Sequence, residues 1–434
     1  MSGLLIAAPS SGSGKTVVTL GLMRALSRRG VVVSPGKAGP DYIDPAFHAA
    51  ASGRTCFNFD PWAMRAALLR AQAARSSDEG LLVIEAMMGL FDGAADGTGS
   101  AADLAALLAL PVILVIDCAR MSQSVAAIAT GFACFRPDVR VAGVILNKVG
   151  SVRHEGMLRA ALADTGLPVL GVLRSNPDLH LPERHLGLVQ ASEHAGLETF
   201  IEAAATAVEE GCDLAALMAL AKGSTGSAPP PETATVPPLA QHIAVARDIA
   251  FAFSYPHLLD GWRRQGAEIS FFSPIADEAP STDAGAVYLP GGYPELHAGR
   301  IAGALTFKAG MSEAATRGAR VYGECGGYMV LGDGLIDADG QGHAMLGLLP
   351  LTTSYAQRSR HLGYRRLRSL VPEMFAGAFS AHEFHYSTVI SEGDAERLFE
   401  AEDATGQALG AVGLVRGRVC GSYMHLIDRI GEAA

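Results

Sequence analysis

The chain contains little that would hold a fold together covalently or through metal. Its six cysteines, at positions 56, 118, 134, 212, 325 and 420, are scattered, and no C-x-x-C pair occurs among them. Such spacing indicates neither a zinc site nor a disulfide framework and fits a reducing cytoplasm. Charge is sparse as well: Asp, Glu, Lys and Arg make up 18% of the residues, with a net charge of −10. That balance argues against a polyanion-binding surface, so no nucleic-acid partner is expected, and an anionic substrate must find a local basic site. Long apolar runs are also missing. The longest, Leu104 to Ile116, is interrupted by Pro111 and bounded by Asp103 and Asp117; it reads as a helix end followed by a buried strand, too short for a bilayer. The start, MSGLLIAAPSSGSGKT, has no basic n-region and passes from a short apolar run into a glycine loop, which is not the pattern of a signal peptide. No membrane partner is expected, and the cytoplasm is the expected compartment.

What is present is length and alternation. With 434 residues, 49% of them hydrophobic, the chain can bury two cores. The stretch GSTGSAPPPETATVPPL, residues 223–239, breaks the pattern on either side with Gly, Ser, Thr and Pro and reads as a linker between domains 1–222 and 240–434. Before it, apolar runs (Leu4–Ala8, Val31–Val33, Leu81–Ile84, Val112–Ile116, Val141–Leu146, Val169–Val172) alternate with Ala/Leu-rich helical segments. After it the alternation returns with Ile243–Ala246, Ile269–Phe272, Ala286–Leu289 and Arg320–Tyr322. Strands separated by helices mean parallel sheets wrapped on both faces, so the expected fold class is α/β, with two open α/β domains.

The first apolar run leads into Ala8-Pro9-Ser10-Ser11-Gly12-Ser13-Gly14-Lys15-Thr16, then a helix. Gly14-Lys15-Thr16 ends a P-loop, although Pro9 stands where the first glycine of G-x-x-x-x-G-K-[ST] belongs. Strand, glycine-bearing loop (Gly12, Gly14) and helix start occur in the order that supplies amides for phosphates, a lysine cation, and a hydroxyl for Mg²⁺. Two acidic segments follow later strands: KAGPDYIDPAFH (37–48), with Lys37, Asp41 and Asp44, and VIEAMMGLFDG (83–93), with Glu85 and Asp92. Each acid alone would be an ordinary loop or cap residue. Because the C-terminal ends of parallel strands face the ligand crevice, Thr16, Asp41 and Glu85 together make a candidate metal-phosphate site, with Asp44 and Asp92 on the substrate side. Asn147, in VILNKVG, is a candidate contact to the nucleotide base.

In the second half, YGECGGYMVLG (322–332) places Gly323-Glu324-Cys325-Gly326-Gly327 at a strand-to-helix bend. This G-x-C-x-G is the nucleophile-elbow pattern with sulfur in place of oxygen. A free cysteine more often packs as a small hydrophobe, so the elbow needs a base and an oxyanion hole. His382, Glu383 and His385 lie close together in AHEFHYS, but one cluster without a further ligand does not specify a metal, and a structural or substrate-facing role is the reading. Arg358, Arg360, His361, Arg365, Arg366 and Arg368 crowd one segment of an otherwise acidic chain.

Residues 1–222 resemble the dethiobiotin synthetase type of P-loop fold, and KAGPDYIDP with VIEAMMGLFDG resembles the N-terminal domain of the cobyrinic acid a,c-diamide synthases. The second half is similar to the same family in ARDIAFAFSYPHLL, LPGGYPEL, YGECGGYMVLG, AHEFHYS and GSYMHL, and there resembles the class I, triad-type glutamine amidotransferases. The resemblance implies ATP- and glutamine-dependent amidation of the a and c acetate groups of a hydrogenobyrinate or cobyrinate precursor, with Mg²⁺ and ATP required and the carboxylate activated as an acyl phosphate. It implies Cys325 as nucleophile, His425 as base, and the amides of Gly292 and Gly326 as oxyanion donors. The arginine-rich segment is either a solvated strand face or a local anion site in which Arg365 and Arg366 contact the carboxylates of a corrin precursor, and a homodimer is a further expectation. Triad amidotransferases usually carry an acid two residues after the histidine; here that position is Ile427, which leaves the orienter of His425 open, with Asp428 one candidate. Two alternatives stand beside this reading. One is a nickel-tetrapyrrole a,c-diamide synthase of the same family; the other is a P-loop switch ATPase with an inactive amidotransferase-like half, against which the intact elbow and His425 argue. The Ala-, Gly- and Arg-rich composition points to a GC-rich genome and a metal-free corrin substrate.

Overall fold

A computed structural model describes residues 2–179, 183–184, 187–188, 190–194, 196–222 and 235–431. The chain divides into two compact units, Met1–Thr233 and Ala234–Ala434. Of the expected linker, residues 223–234 lie outside the described residues.

The first unit is a sheet of β1 (Gly3–Ala7), β2 (Val33–Ala38), β3 (Phe57–Phe59), β4 (Leu81–Glu85), β5 (Val112–Asp117), β6 (Val141–Val149) and β7 (Val169–Arg174), in the order β3-β2-β4-β1-β5-β6-β7. Every pairing in it is parallel. Leu4–Ile6, Leu82–Ile84 and Val112–Ile116 are fully buried, as continuous apolar strands covered on both faces must be. The connections are α1 (Lys15–Arg28), α2 (Asp44–Ser52), α3 (Ala66–Glu79), α4 (Ala101–Leu108), α5 (Ser124–Cys134) and α6 (Val152–Leu162); α7 (Leu197–Gly211) and α8 (Leu214–Ala221) close the unit, after a short pair β8 (Glu183–Arg184) and β9 (Gly187–Leu188). Arg24 and Arg28 on α1 tie α7 down through Glu198, Glu202 and Glu209.

The second strand differs from the sequence expectation. It covers VSPGKA and not Val31–Val33, because Pro35 and Gly36 read as loop formers. Gly36 serves packing there: a Cβ on it would lie 2.8 Å from the Phe59 ring. The consequence is functional, since Lys37 becomes a strand residue in register with Glu85.

The second unit begins in the same way, with β10 (His242–Ala246), α9 (Pro256–Arg264), β11 (Glu268–Phe272), β12 (Ala286–Leu289), α10 (Ala298–Gly303), α11 (Leu305–Thr316), β13 (Arg320–Glu324) and α12 (Gly326–Leu331). It then becomes all β: β14 (Gly334–Ile336), β15 (Gly342–Ala344), β16 (Leu351–Ser354), β17 (His361–Ser369), β18 (Ala378–His385), β19 (Thr388–Glu392), β20 (Glu396–Asp403), β21 (Ala408–Arg416), β22 (Val419–Ser422) and β23 (Met424–Ile430). The main sheet runs β11-β10-β12-β13-β22-β21-β20-β17-β18-β23, parallel from β11 to β22 and antiparallel beyond. Tyr423 alone separates β22, in the middle of this order, from β23 at its end. One residue spans only about 7 Å between its neighbours, so the sheet must curl until its far edge returns to the end of β13. A small sheet, β15-β14-β16-β19, flanks it.

Candidate active sites

In the first unit the P-loop leaves β1 at Ala7, and α1 starts at Lys15 behind Gly14, whose φ of 87° favours glycine. Asn147, at the end of β6, donates from Nδ2 to the Ser13 carbonyl at 2.9 Å and lies where a side chain on residue 14 would project. Lys148, itself at φ 56°, donates to Gly12 O at 3.0 Å and to Asp117 Oδ2 at 2.7 Å. The loop is thus fixed from two strands beyond its own.

Three groups converge on Glu85, which is buried. Its Oε1 accepts from Thr16 Oγ1 and Lys37 Nζ, both at 2.9 Å; its Oε2 meets His48 Nε2 at 2.7 Å. Lys37 also pairs with Asp44. Burial by itself would push the Glu85 carboxyl up, yet Lys37 and His48 hold it well below the usual carboxylate range. Burial likewise works against the Lys37 ammonium, but Asp44 and Glu85 hold it protonated, while burial and the charge of Asp41 raise the Asp44 carboxyl. Lys15 donates to Met88 O at 2.6 Å and Ser10 O at 3.4 Å; burial lowers its pKa, with Glu85 opposing.

Thr16, Lys37, Asp44 and Glu85 therefore meet. Asp41 and Asp92 have local contacts: Asp41 Oδ1 accepts from Ile43 N at 2.8 Å and Asp44 N at 2.9 Å at the start of α2, and Asp92 Oδ2 accepts from Gly89 N at 2.8 Å. His48 was not singled out by the sequence. Its signal is helical spacing: it lies four residues after Asp44 on α2, with Nδ1 2.6 Å from the Asp44 carbonyl.

In the second unit β13 ends at Glu324 and α12 begins at Gly326. Between them Cys325 has φ 47° and ψ −106°, outside the ordinary regions for a residue with a side chain. The bend is held by Cys325 N donating to Ser422 O at 2.8 Å and by Met329 N donating to Cys325 O at 3.0 Å. Gly291 shows what the elbow faces. A Cβ there would lie 3.0 Å from His425 Nε2 and 3.2 Å from Cys325 Cβ, so thiol carbon and imidazole border one small space that only glycine leaves open. A Cβ on Gly326 would lie 3.0 Å from Gly292 N, so the elbow packs closely against the loop that carries Gly292.

Burial pushes the Cys325 thiol up, as do the charges of Glu295, Glu324 and Glu383, while the Gly326 amide opposes them. Burial lowers His425 to about 3, helped by His382 and His385. Thiol and imidazole are both neutral at rest.

His382 stands opposite His425 across the β18–β23 ladder. Next to it, Glu383 is gripped by Arg365, from Nε at 2.8 Å and Nη2 at 2.6 Å, and by His385 Nε2 at 3.0 Å. His361, Glu383 and His385 could offer ligand atoms within 4.8 Å of one another, but the Arg365 guanidinium already neutralises the carboxylate. Arg366 is exposed and donates from Nη1 to Ala404 O at 3.2 Å. Asp428 sits near His257 and raises its proton affinity; an acid close to the His425 ring is Glu324, with Oε2 3.7 Å from Nδ1. The sequence displays Glu324 inside the elbow, but nothing in its spacing marks it as a partner of His425.

Family models divide the chain as the two sheets do. Residues 4–189 match the CobQ/CobB/MinD/ParA nucleotide binding domain and residues 242–429 the CobB/CobQ-like glutamine amidotransferase domain. Fold and sites together define a nucleotide-binding unit joined in one chain to a glutamine amidotransferase unit. Over its full length the chain is 64% identical to a hydrogenobyrinate a,c-diamide synthase of Sinorhizobium sp, covering all of both chains. It is 65% identical to that of Rhizobium meliloti over 99% of each, and 54% identical to that of Rhodobacter capsulatus over 98% of each. The chain belongs to the hydrogenobyrinate a,c-diamide synthase family.

Proposed function

We propose that this protein amidates the a and c carboxylates of hydrogenobyrinate, consuming ATP and glutamine at each. The observation that carries the reading is the convergence of Cys325 and His425 on Gly291, in a chain whose full length matches synthases of that name. Those names also favour a metal-free corrin over a nickel tetrapyrrole.

In the amidotransferase unit, His425 Nε2 takes the thiol proton as Cys325 Sγ attacks the carboxamide carbon of glutamine. The tetrahedral oxyanion is received by the amides of Gly292 and Gly326, each worth on the order of 3 kcal/mol. The C–N bond breaks as His425 returns its proton to the departing nitrogen, ammonia leaves, and water hydrolyses the glutamyl thioester to glutamate.

In the synthetase unit, transfer of the ATP γ-phosphoryl to a substrate carboxylate gives an acyl phosphate and ADP; ammonia then attacks the acyl carbon and phosphate leaves. Unactivated carboxylate would not react, since its oxygen is a poor leaving group. Lys15 and Lys37 offset phosphate charge, Asn147 lies on the nucleotide side, and Asp44 and Asp92 face the substrate, in a transfer governed by positioning and electrostatics. The Thr16 hydroxyl meets the ionised Glu85 carboxylate at 2.9 Å, a hard-oxygen pair suited to Mg²⁺; Thr16, Glu85 and Asp41 would hold the ion. When bound, Mg²⁺ supplies positive charge to the phosphates. Arg365 and Arg366 are our candidates for binding substrate carboxylates, Arg365 by exchanging Glu383 for the substrate.

Among the described residues no helix is long and apolar enough to cross a membrane, and all six cysteines are free. Both support a cytoplasmic location. A homodimer is part of the proposal and would show as twice the chain mass in light scattering. The deciding experiment supplies hydrogenobyrinate, its cobalt-containing counterpart, ATP and glutamine: diamide formation from the metal-free acid, with ADP and glutamate in equal amounts, is expected. ATP hydrolysis without amidation would support the switch alternative.

A further inference from the structure

The usual triad acid position is occupied by Ile427, a buried side chain with no acceptor. On the other side of the imidazole lies a carboxylate from a different strand. Glu324 Oε2 is 3.7 Å from His425 Nδ1, whereas Nε2 borders the space shared with Cys325. Nδ1 thus lies toward an acid, and Nε2 toward the space that Cys325 Cβ also borders. The carboxylate is also braced: Oε2 accepts from Tyr288 Oη at 2.6 Å, and Oε1 accepts from Tyr322 Oη at 2.9 Å and from the backbone N–H of Leu426, the residue after the histidine, at 3.0 Å. Glu324 therefore fixes the strand that carries His425 as well as facing its ring.

We propose that Glu324, the residue immediately before the nucleophile, is the positioning residue of His425, replacing from the elbow the acid that triad amidotransferases carry after the histidine. This rests on the amidotransferase reading above. The carboxylate exchanges no proton in the cycle. It orients Nδ1–H, leaves the Nε2 lone pair toward the thiol, and stabilises the imidazolium formed when the thiol proton arrives. The 3.7 Å separation is longer than a hydrogen bond, and such contacts commonly tighten when substrate enters. The other ionisable groups near the ring are His382, Glu383 and His385 of β18; the two histidines oppose an imidazolium, and Glu383 is already engaged by Arg365. Burial raises the Glu324 carboxyl to about 7, while the hydrogen bonds from Tyr288, Leu426 N–H and Tyr322 oppose that rise and favour the ionised form.

The test uses the full chain with Glu324→Gln and Glu324→Asp. Glutamine-dependent and ammonia-dependent diamide formation are measured on one preparation, together with the rate at which a diazoketone analogue of glutamine alkylates Cys325. Glu324→Gln should lower the glutamine-dependent kcat on the order of 10²-fold, slow alkylation in parallel, and leave the glutamine KM within about threefold and the ammonia-dependent rate intact. Glu324→Asp should recover part of the loss. A glutamine-dependent kcat within about threefold of the parent overturns the proposal, as does an equal fall in the ammonia-dependent rate, which would make Glu324 a fold support only. Cys325→Ala, run beside them, separates the two levels of inference: if it retains glutamine use, the amidotransferase reading fails, whereas its loss with an active Glu324→Gln removes only the positioning role.

Discussion

Lys37 and Glu85 lie side by side on adjacent parallel strands, ammonium 2.9 Å from carboxylate, both buried. Removing one partner of such a pair leaves an uncompensated buried charge, at a cost of about 3–5 kcal/mol. Glu85 also receives Thr16 and His48, so the pair connects the P-loop to the acidic segment around Asp44.

Glu85→Gln should therefore lower diamide synthesis with glutamine and with ammonia alike, by on the order of 10²-fold, and lower the melting temperature as well. Asp44→Asn should weaken synthesis with both donors while disturbing stability less. Normal rates for both variants and for Asp41→Asn at saturating ammonium would remove the metal-phosphate assignment.

Cys325→Ala should abolish glutamine-dependent synthesis, because no other elbow residue can form the thioester, while ammonium at high concentration and alkaline pH is still incorporated. His425→Ala should behave similarly with some residual glutamine use. The check is a comparison of the two nitrogen donors on one enzyme preparation. Full glutamine-dependent activity in Cys325→Ala would return this side chain to simple packing.

Arg366→Ala should raise the KM for hydrogenobyrinate and leave that for ATP nearly unchanged, since Arg366 is exposed. Arg365→Ala should do more: Glu383 loses its counter-cation beside His425, so glutamine hydrolysis should fall too. Steady-state kinetics with each substrate varied in turn separates the two effects. An unchanged corrin KM in Arg366→Ala would rule out the anion site there.

Acid should destabilise the second unit through its histidines. Burial lowers both His382 and His425 to about 3, with Arg365 adding to the effect on His382. Folded they are neutral, while the unfolded chain takes up protons below about pH 6.5. Their contribution is complete above that value and is lost as pH falls toward about 3, by roughly 1.4 kcal/mol per pH unit for each histidine. Melting temperatures between about pH 6 and pH 4 should decline less steeply in His382→Gln than in the parent. Parallel slopes would mean that His382 is already charged in the fold.

The sequence by itself determined most of the parallel strands, the P-loop and the elbow, because these are local: an apolar run of a given length, a glycine followed by Lys-Thr, a cysteine between glycines at a strand end. It could also place Thr16, Asp41, Asp44 and Glu85 at one crevice, since topology alone puts strand ends together. Only the tertiary structure decided which groups touch. His48 reaches Glu85 through one helical turn of α2, and Asp41 caps the start of that helix. The larger decision was the antiparallel half of the second sheet, which curls at Tyr423 and returns β23 to the end of β13. That closure brings His425 to Cys325 and sets Glu324, one residue before the thiol, on the opposite side of the imidazole. The family resemblance pointed to the acid position after His425 and found Ile427; an acid that faces the ring comes from a strand about a hundred residues earlier, a relationship that exists only once the sheet has curled.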